Sequence, residues 1–202
     1  MPQSLPMILE PQVVPSEVCC RCEVCCRFPE AGSLLRPYFT DVEIGQAISH
    51  GIDSAYFTNR SGCQISVISD HTGDGYLCPA FDPETRHCRI YPVRPLDCQL
   101  YPFALMWSDA EDYVLFGWDP KCPFLLVQSG EDLPPFLSDK DPSRLTLPDS
   151  LVQQAHSVAG MLESKKTLEY LSTHPRLITA FQPDVVIIKR LNRLTAALLP
   201  PQ

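Results

Sequence analysis

The sequence lacks any apolar run that could cross a membrane as a helix. About 18 or more consecutive apolar residues are needed for that, and the 202 residues contain no such run. The opening residues, MPQSLPMILEPQVVP, also lack the basic and apolar regions of a secretory signal. We therefore expect a cytoplasmic protein in a reducing compartment, with no membrane partner.

Positive charge is also scarce. The chain has 16 Lys and Arg against 24 Asp and Glu, which gives a formal net charge of −8 and a pI near 5.0. Binding to nucleic acid depends on basic side chains that displace counterions from phosphates. We therefore expect no nucleic-acid partner.

The motifs of several enzyme classes are missing from the sequence. It contains no C-x3-C-x2-C of radical-SAM enzymes, no H-E-x-x-H, no G-x-S-x-G and no nucleotide-binding loop. The G-x-G at Gly73–Gly75 is too short for such a loop and predicts a hairpin turn instead. Whether the protein is an enzyme therefore stays open, and no catalytic residue is predicted.

Cysteine, by contrast, is abundant and closely spaced. Five of the ten cysteines lie in the eight residues CCRCEVCC at positions 19–26. Overlapping C-x-x-C steps join Cys19, Cys22 and Cys25, and Cys26 follows directly. In a reducing compartment such clustered thiols indicate metal ligands or redox groups rather than disulfides. Three thiolates on one short loop are typical of ferredoxins, although Pro29 stands where a ferredoxin has its next cysteine.

A second cysteine-rich stretch runs from Cys78 to Cys98. Its segment 82–85, Asp-Pro-Glu-Thr, is a strong turn signal and predicts that Cys78 and Cys88 lie beside each other. Proline at the start of residues 95–101 favours the first turn of a helix that carries Cys98. The two cysteine-rich stretches could therefore supply ligands to a common site.

The rest of the pattern predicts the α+β fold class. A Thr-Asp cap before apolar residues at helical spacing predicts a helix over about 41–50 that ends near Gly51. Alternating apolar residues predict strands over 63–68 and 76–81, and a hairpin of strands 103–107 and 112–118.

The last part of the chain contains no cysteine and has mainly helical periodicity. It predicts one helix to about Ser164, a second to about Leu171 and a third over 185–199. The β-branched residues at 185–188 leave a strand open as an alternative for the start of the third.

These patterns predict four regions. They are an N-terminal arm (1–18), a cysteine-cluster metal-binding domain (19–128), a linker or long loop (129–149) and a mainly helical C-terminal segment (150–202). We expect the second region to be small, rich in turns, built from short helices and β-hairpins, and stapled by metal.

The cysteine pattern resembles the YkgJ-type cysteine-cluster family, the CxxCxxCC zinc- or iron-chelating domain. The resemblance covers roughly residues 19–125 and rests on blocks that recur in order: Cys19-x-x-Cys22-x-x-Cys25-Cys26, then Cys78, then Cys88-x-x-Tyr91-x-x-Arg94-Pro95-x-x-Cys98-x-x-Tyr101-Pro102, then Cys122-Pro123. Gln99 and Phe124 stand where the family often has Arg and Gly. The resemblance implies metal chelation and leaves the metal open.

Eight cysteines match this pattern, and the resemblance implies that they are the metal ligands: Cys19, Cys22, Cys25, Cys26, Cys78, Cys88, Cys98 and Cys122. Cys20 and Cys63 fall outside it, and we expect them to be ordinary thiols. Eight thiolates could form two tetrahedral zinc sites, or one iron–sulfur cluster with a second site or spare thiols. The three-thiolate run favours an iron–sulfur cluster of the 4Fe-4S type, with zinc as the alternative.

Arg94 is the one further residue predicted at the cofactor, where its charge would offset that of the thiolates. Tyr91 and Tyr101 are interpreted as packing residues. Two classes of function remain open. The first is a non-catalytic metal-cluster protein that acts as a sensor, carrier or assembly partner. The second is an enzyme or enzyme subunit that modifies a protein side chain, because a related cluster occurs in flagellin lysine methylase. Either class predicts a protein partner or substrate.

Overall fold

The computed structural model describes residues 12–71, 73–128 and 147–199. Its elements, in chain order, are α1 (Ser16–Cys19), β1 (Arg27–Phe28), β2 (Tyr38–Thr40), α2 (Asp41–Ser49), β3 (Gly62–Gln64), β4 (Ile68–Ser69), β5 (Tyr76–Leu77), β6 (Phe81–Asp82), β7 (His87–Cys88), α3 (Leu96–Leu100), β8 (Phe103–Trp107), β9 (Val114–Trp118), α4 (Pro123–Gln128), α5 (Asp149–Leu162), α6 (Lys165–Thr173), β10 (Val186–Arg190) and α7 (Asn192–Leu198). The predicted α+β class is confirmed.

The chain divides into two compact units, Met1–Leu100 and Tyr101–Gln202. The predicted linker lies mostly outside the described residues, as does most of the predicted N-terminal arm. Among the described residues, no helix is both long and apolar enough to span a bilayer. The four predicted regions stay predictions.

The first unit is built from very short antiparallel strands. They pair in the orders β1-β5-β4, β2-β3 and β6-β7. The apolar core beneath them includes Phe39, Ile44 and Ile65, each at most 2% exposed. Strands of two or three residues contribute few ladder hydrogen bonds, so this unit depends on its turns and on side-chain contacts between distant segments.

Helix α2 begins where the sequence predicts it. Thr40 caps it in a capping box: its hydroxyl accepts from the Glu43 N–H, and the Glu43 carboxylate accepts from the Thr40 N–H. The helix ends before Gly51, whose φ of +91° is a conformation that suits glycine.

The prediction of one strand over 63–68 is wrong. Cys63 pairs with Phe39 in one sheet, whereas Ile68 pairs with Leu77 in another. Residues 65–67, between these two strands, belong to neither sheet, and the Ser66 N–H donates to the Tyr56 carbonyl. The predicted strand 76–81 is divided in the same way, into β5 and β6.

The second unit contains a three-stranded antiparallel sheet in the order β10-β9-β8. The predicted hairpin of β8 and β9 is confirmed, with Phe103 opposite Trp118 and Trp107 opposite Val114. Helices α5 and α6 confirm the next two predictions.

The predicted helix over 185–199 is wrong in its first part. Residues Val186–Arg190 form β10 and pair with β9, and only Asn192–Leu198 is helical. The β-branched run forms a strand there, as the alternative interpretation held, because the edge of β9 that does not pair with β8 offers it hydrogen-bond partners.

Candidate metal centre

Two tight turns shape the cysteine loop that follows α1. The Cys22 N–H donates to the Cys19 carbonyl at 3.2 Å, and the Cys26 N–H donates to the Glu23 carbonyl at 2.9 Å. The Cys19–Cys22 step and the Glu23–Cys26 turn are therefore curled rather than extended. Cys25 is exposed, whereas Cys19, Cys22 and Cys26 are half-buried.

Strand pairing brings the second cysteine-rich stretch to this loop. Arg27 in β1 lies opposite Leu77 in β5, and the next residue along, Cys78, donates its N–H to the Cys26 carbonyl at 2.9 Å. The hairpin of β6 and β7 then returns the chain, with Cys88 opposite Phe81. The predicted turn at 82–85 is present in this hairpin.

Helix α3 carries Cys98 and is held by two carboxylates, of which that of Glu43 is buried. The Leu96 N–H donates to Glu43 Oε1 at 2.7 Å, and the Tyr38 N–H donates to Asp97 Oδ2 at 2.9 Å. Burial raises the pKa of Asp97 to about 6. These two bonds tie the segment that bears Cys98 to β2 and α2.

The thiols of the first unit lie close enough to act on one another electrostatically. Cys25 is common to all of these interactions, because its charge raises the pKa of each of six others: Cys19, Cys22, Cys26, Cys78, Cys88 and Cys98. The fold therefore brings seven of the eight predicted ligands into one region. No disulfide bond joins any two of the ten cysteines, all of which lie within the described residues.

Burial and mutual repulsion make these thiols hard to ionise without a cation. Burial raises the pKa of Cys19 to about 11 and that of Cys78 to about 12. It is also the main cause that raises the pKa of Cys22, Cys88 and Cys98, whereas for Cys26 the hydrogen bond with Cys25 comes first. A bound metal ion would displace these protons and neutralise the thiolates.

Arg94 stands beside the group, and its role at a cofactor stays a prediction. It is 9% exposed, and its Nη1 donates to the Cys19 Sγ at 3.6 Å. Its guanidinium charge lowers the pKa of Cys19 and Cys88, against the stronger effect of burial. Its position fits the predicted role of offsetting thiolate charge.

A polar network fixes the cysteine loop from the side. Glu23 lies between Cys22 and Cys25 and accepts from Arg27 at 3.0 Å and from Arg86 at 3.1 Å. Arg27 also bonds Asp70. The roles of Glu23, Glu43 and Asp97 were not predicted from the sequence, because each has a partner far away along the chain. Only the Glu43 capping box could have been found from spacing.

The remaining three cysteines differ in their surroundings. Cys63 is 8% exposed and packs in the apolar core of the first unit, as expected of an ordinary small side chain. The charge of Cys20 raises the pKa of Cys19 and Cys88, so Cys20 lies near the group although it is not a predicted ligand. Cys122 belongs to the second unit, where it is buried just before α4.

The donor set fits a thiophilic metal, because seven soft sulfur ligands with an adjacent cation suit zinc or iron. The side chains are not drawn together around one point. Within the described residues, no group of three or more His, Cys, Asp or Glu is arranged so that it could hold a metal ion. Binding would therefore require the thiols to close around the metal.

Comparison with known proteins agrees with this donor set. Residues 18–125 match the family model described as "CxxCxxCC: Putative zinc- or iron-chelating domain". The matched segment begins one residue before the cysteine loop and ends three residues after Cys122. No solved structure matches the chain.

Proposed function

The chain belongs to the CxxCxxCC family of zinc- or iron-chelating domains, and we propose that it holds an iron–sulfur cluster of the 4Fe-4S type through its cysteine thiolates. The observation that carries this proposal is the gathering of Cys19, Cys22 and Cys25 with four more thiols in one unit. Three ligands on two successive C-x-x-C steps are the arrangement that such clusters use. Zinc, held by four thiolates at each of two sites, is the alternative.

The proposed ligands are the eight cysteines of the family pattern, and Arg94 is the proposed cofactor-binding cation. An iron–sulfur cluster would supply a centre for one-electron transfer or for transfer of the cluster itself. The residues of this chain would bind it through thiols that differ in exposure, since Cys78 is buried and Cys25 is exposed.

The exposed position of Cys25 supports a non-catalytic role as a sensor, carrier or assembly partner. A thiolate at the surface gives a second protein access to the cluster for exchange of an electron or of metal. We therefore propose a protein partner. Modification of a protein side chain by this chain, as an enzyme or enzyme subunit, stays the second class of function.

Protein purified without oxygen is expected to be brown and to contain iron and acid-labile sulfide. The measurement is a visible spectrum together with iron, zinc and sulfide analysis of the same sample. Colourless protein with stoichiometric zinc would contradict the iron–sulfur cluster and support the zinc alternative. Protein without either metal, even after reconstitution, would contradict the proposal altogether.

Three cysteine variants distinguish ligands from other thiols. Cys22→Ala should lose metal, whereas Cys20→Ala and Cys63→Ala should keep the full metal content of the wild type. Cys63 is a matched control, since it is buried in the core of the same unit. The measurement is metal per chain in the three variants prepared side by side. Equal loss in Cys20→Ala and Cys22→Ala would mean that Cys20 is a ligand.

A further inference from the structure

Arg86 adopts a backbone conformation that suits glycine. It is the last residue of the turn between β6 and β7, and its φ is +59°. The turn is fixed by Asp82, whose carboxylate accepts from the Glu84 N–H at 3.0 Å and from the Thr85 hydroxyl at 2.8 Å. Because the turn sets the backbone at position 86, an arginine there is held in the left-handed region at a cost that glycine would avoid.

The Arg86 side chain contacts the cysteine loop. Its Nη2 donates to Glu23 Oε1 at 3.1 Å, although the two residues are 63 positions apart in the sequence. The Arg86 side chain is 58% exposed, and an ion pair at the surface contributes little to stability. The ion pair therefore returns less than the left-handed backbone costs, so the stability of the fold does not account for arginine at this position.

This ion pair joins two segments that carry proposed ligands. Cys88 lies two residues after Arg86, in β7, and Cys22 lies directly before Glu23. The second carboxylate oxygen of Glu23, Oε2, accepts from Arg27 at 3.0 Å. Each oxygen of Glu23 thus accepts from a different arginine, which fixes the orientation of the carboxylate. The cysteine loop is therefore attached to the hairpin that bears Cys88.

We propose that Arg86 is a positioning residue that holds the cysteine loop against the hairpin of β6 and β7 through Glu23 and thereby slows the loss of bound metal. The inference rests on the proposed function, because it takes Cys22, Cys25 and Cys88 to be ligands. Two attached segments keep their thiols at a high effective concentration. A thiol that has let go of the metal then binds it again before the next ligand is lost.

Glycine at position 86 separates this role from a purely structural one. Arg86→Gly relieves the backbone strain and removes the ion pair together, so the two roles predict opposite effects on metal release. Arg86→Lys keeps the charge, and Glu23→Gln removes the partner. The matched control is Glu111→Gly, because Glu111 is exposed, has a φ of +55° and lies in the second unit.

The rate of metal release is the measurement. Each protein is loaded with Co²⁺ without oxygen, excess EDTA is added, and the thiolate-to-cobalt absorption is followed. Far-UV circular dichroism reports whether the fold is kept. We expect Arg86→Gly to release Co²⁺ about threefold faster than the wild type, which is the size of effect that an exposed ion pair gives. Arg86→Lys should restore most of the wild-type rate, and Glu111→Gly should leave the rate unchanged.

The effect should also depend on Glu23. In a Glu23→Gln background, Arg86→Gly should not speed release further. Release from Arg86→Gly at the wild-type rate or more slowly would overturn the inference, because relief of strain alone stabilises the turn. If Arg86→Gly fails to fold, Glu23→Gln is compared with Glu30→Gln, which changes an exposed glutamate of the same unit, and equal rates would overturn the inference. Wild-type protein that binds no Co²⁺, iron or zinc would instead overturn the proposed function.

Discussion

Replacement of Cys98 by serine is expected to remove the metal and to unfold the first unit. This unit has strands of two or three residues and a nine-residue helix as its longest element. Its proposed ligands extend from Cys19 to Cys98, so a metal would close long loops of chain. Binding of a structural metal can contribute about 10 kcal/mol or more to folding in small domains. The free energy of unfolding should fall by more than any single change in side-chain packing would cause.

The measurements for Cys98→Ser are metal per chain, melting temperature and the sites of limited proteolysis. We expect loss of metal and new cleavage between residues 19 and 125. Cys63→Ala is the control, since it removes a buried thiol that packs in the core and is not a proposed ligand. A Cys98→Ser protein that keeps both its metal and its melting temperature would show that Cys98 is not a ligand.

Replacement of Glu43 by glutamine is expected to destabilise the first unit by about 2–4 kcal/mol. Glu43 is 1% exposed, and its carboxylate accepts from the Thr40 N–H at 2.8 Å, the Thr40 hydroxyl at 2.9 Å and the Leu96 N–H at 2.7 Å. An amide nitrogen cannot accept, so at least one buried N–H would lose its partner. Buried donors without partners are among the costliest defects in a fold.

Thermal or denaturant unfolding of Glu43→Gln measures this loss. Glu30→Gln is the matched control, because it changes an exposed glutamate of the same unit. We also expect Glu43→Gln to bind metal less tightly, since the Leu96 bond holds the helix that carries Cys98. Unfolding free energies that are equal in Glu43→Gln and Glu30→Gln would contradict the role given to this carboxylate.

Local signals in the sequence predicted several elements well. The capping residues of α2 and the turn between β8 and β9 act within a few residues, so their outcome does not depend on distant contacts. The turn at 82–85 is of the same kind and forms the hairpin of β6 and β7. The three-residue cysteine steps were equally local, and they indicated the family that the comparison shows.

What the sequence could not predict depends on partners distant in the chain. The segment 63–68 has the pattern of one strand, but its two ends pair in different sheets. The segment 186–190 becomes a strand because β9 is available to pair with it. The Glu43 carboxylate accepts from a peptide N–H 53 residues away, and the Asp97 carboxylate accepts from one 59 residues away. No spacing in the sequence connects either residue with its partner. Their role becomes visible only once the fold is known.

The central claim is that the clustered thiols hold metal, and differential alkylation tests it most directly. Cys22 and Cys25 are the most informative positions, because one is half-buried and the other exposed, so burial alone does not protect them. Metal-loaded and chelator-treated proteins are each exposed to iodoacetamide, and the modified cysteines are identified by mass spectrometry. We expect Cys22 and Cys25 to be unreactive in the metal-loaded protein and to react after chelation. Equal modification of both cysteines before and after removal of metal would contradict it.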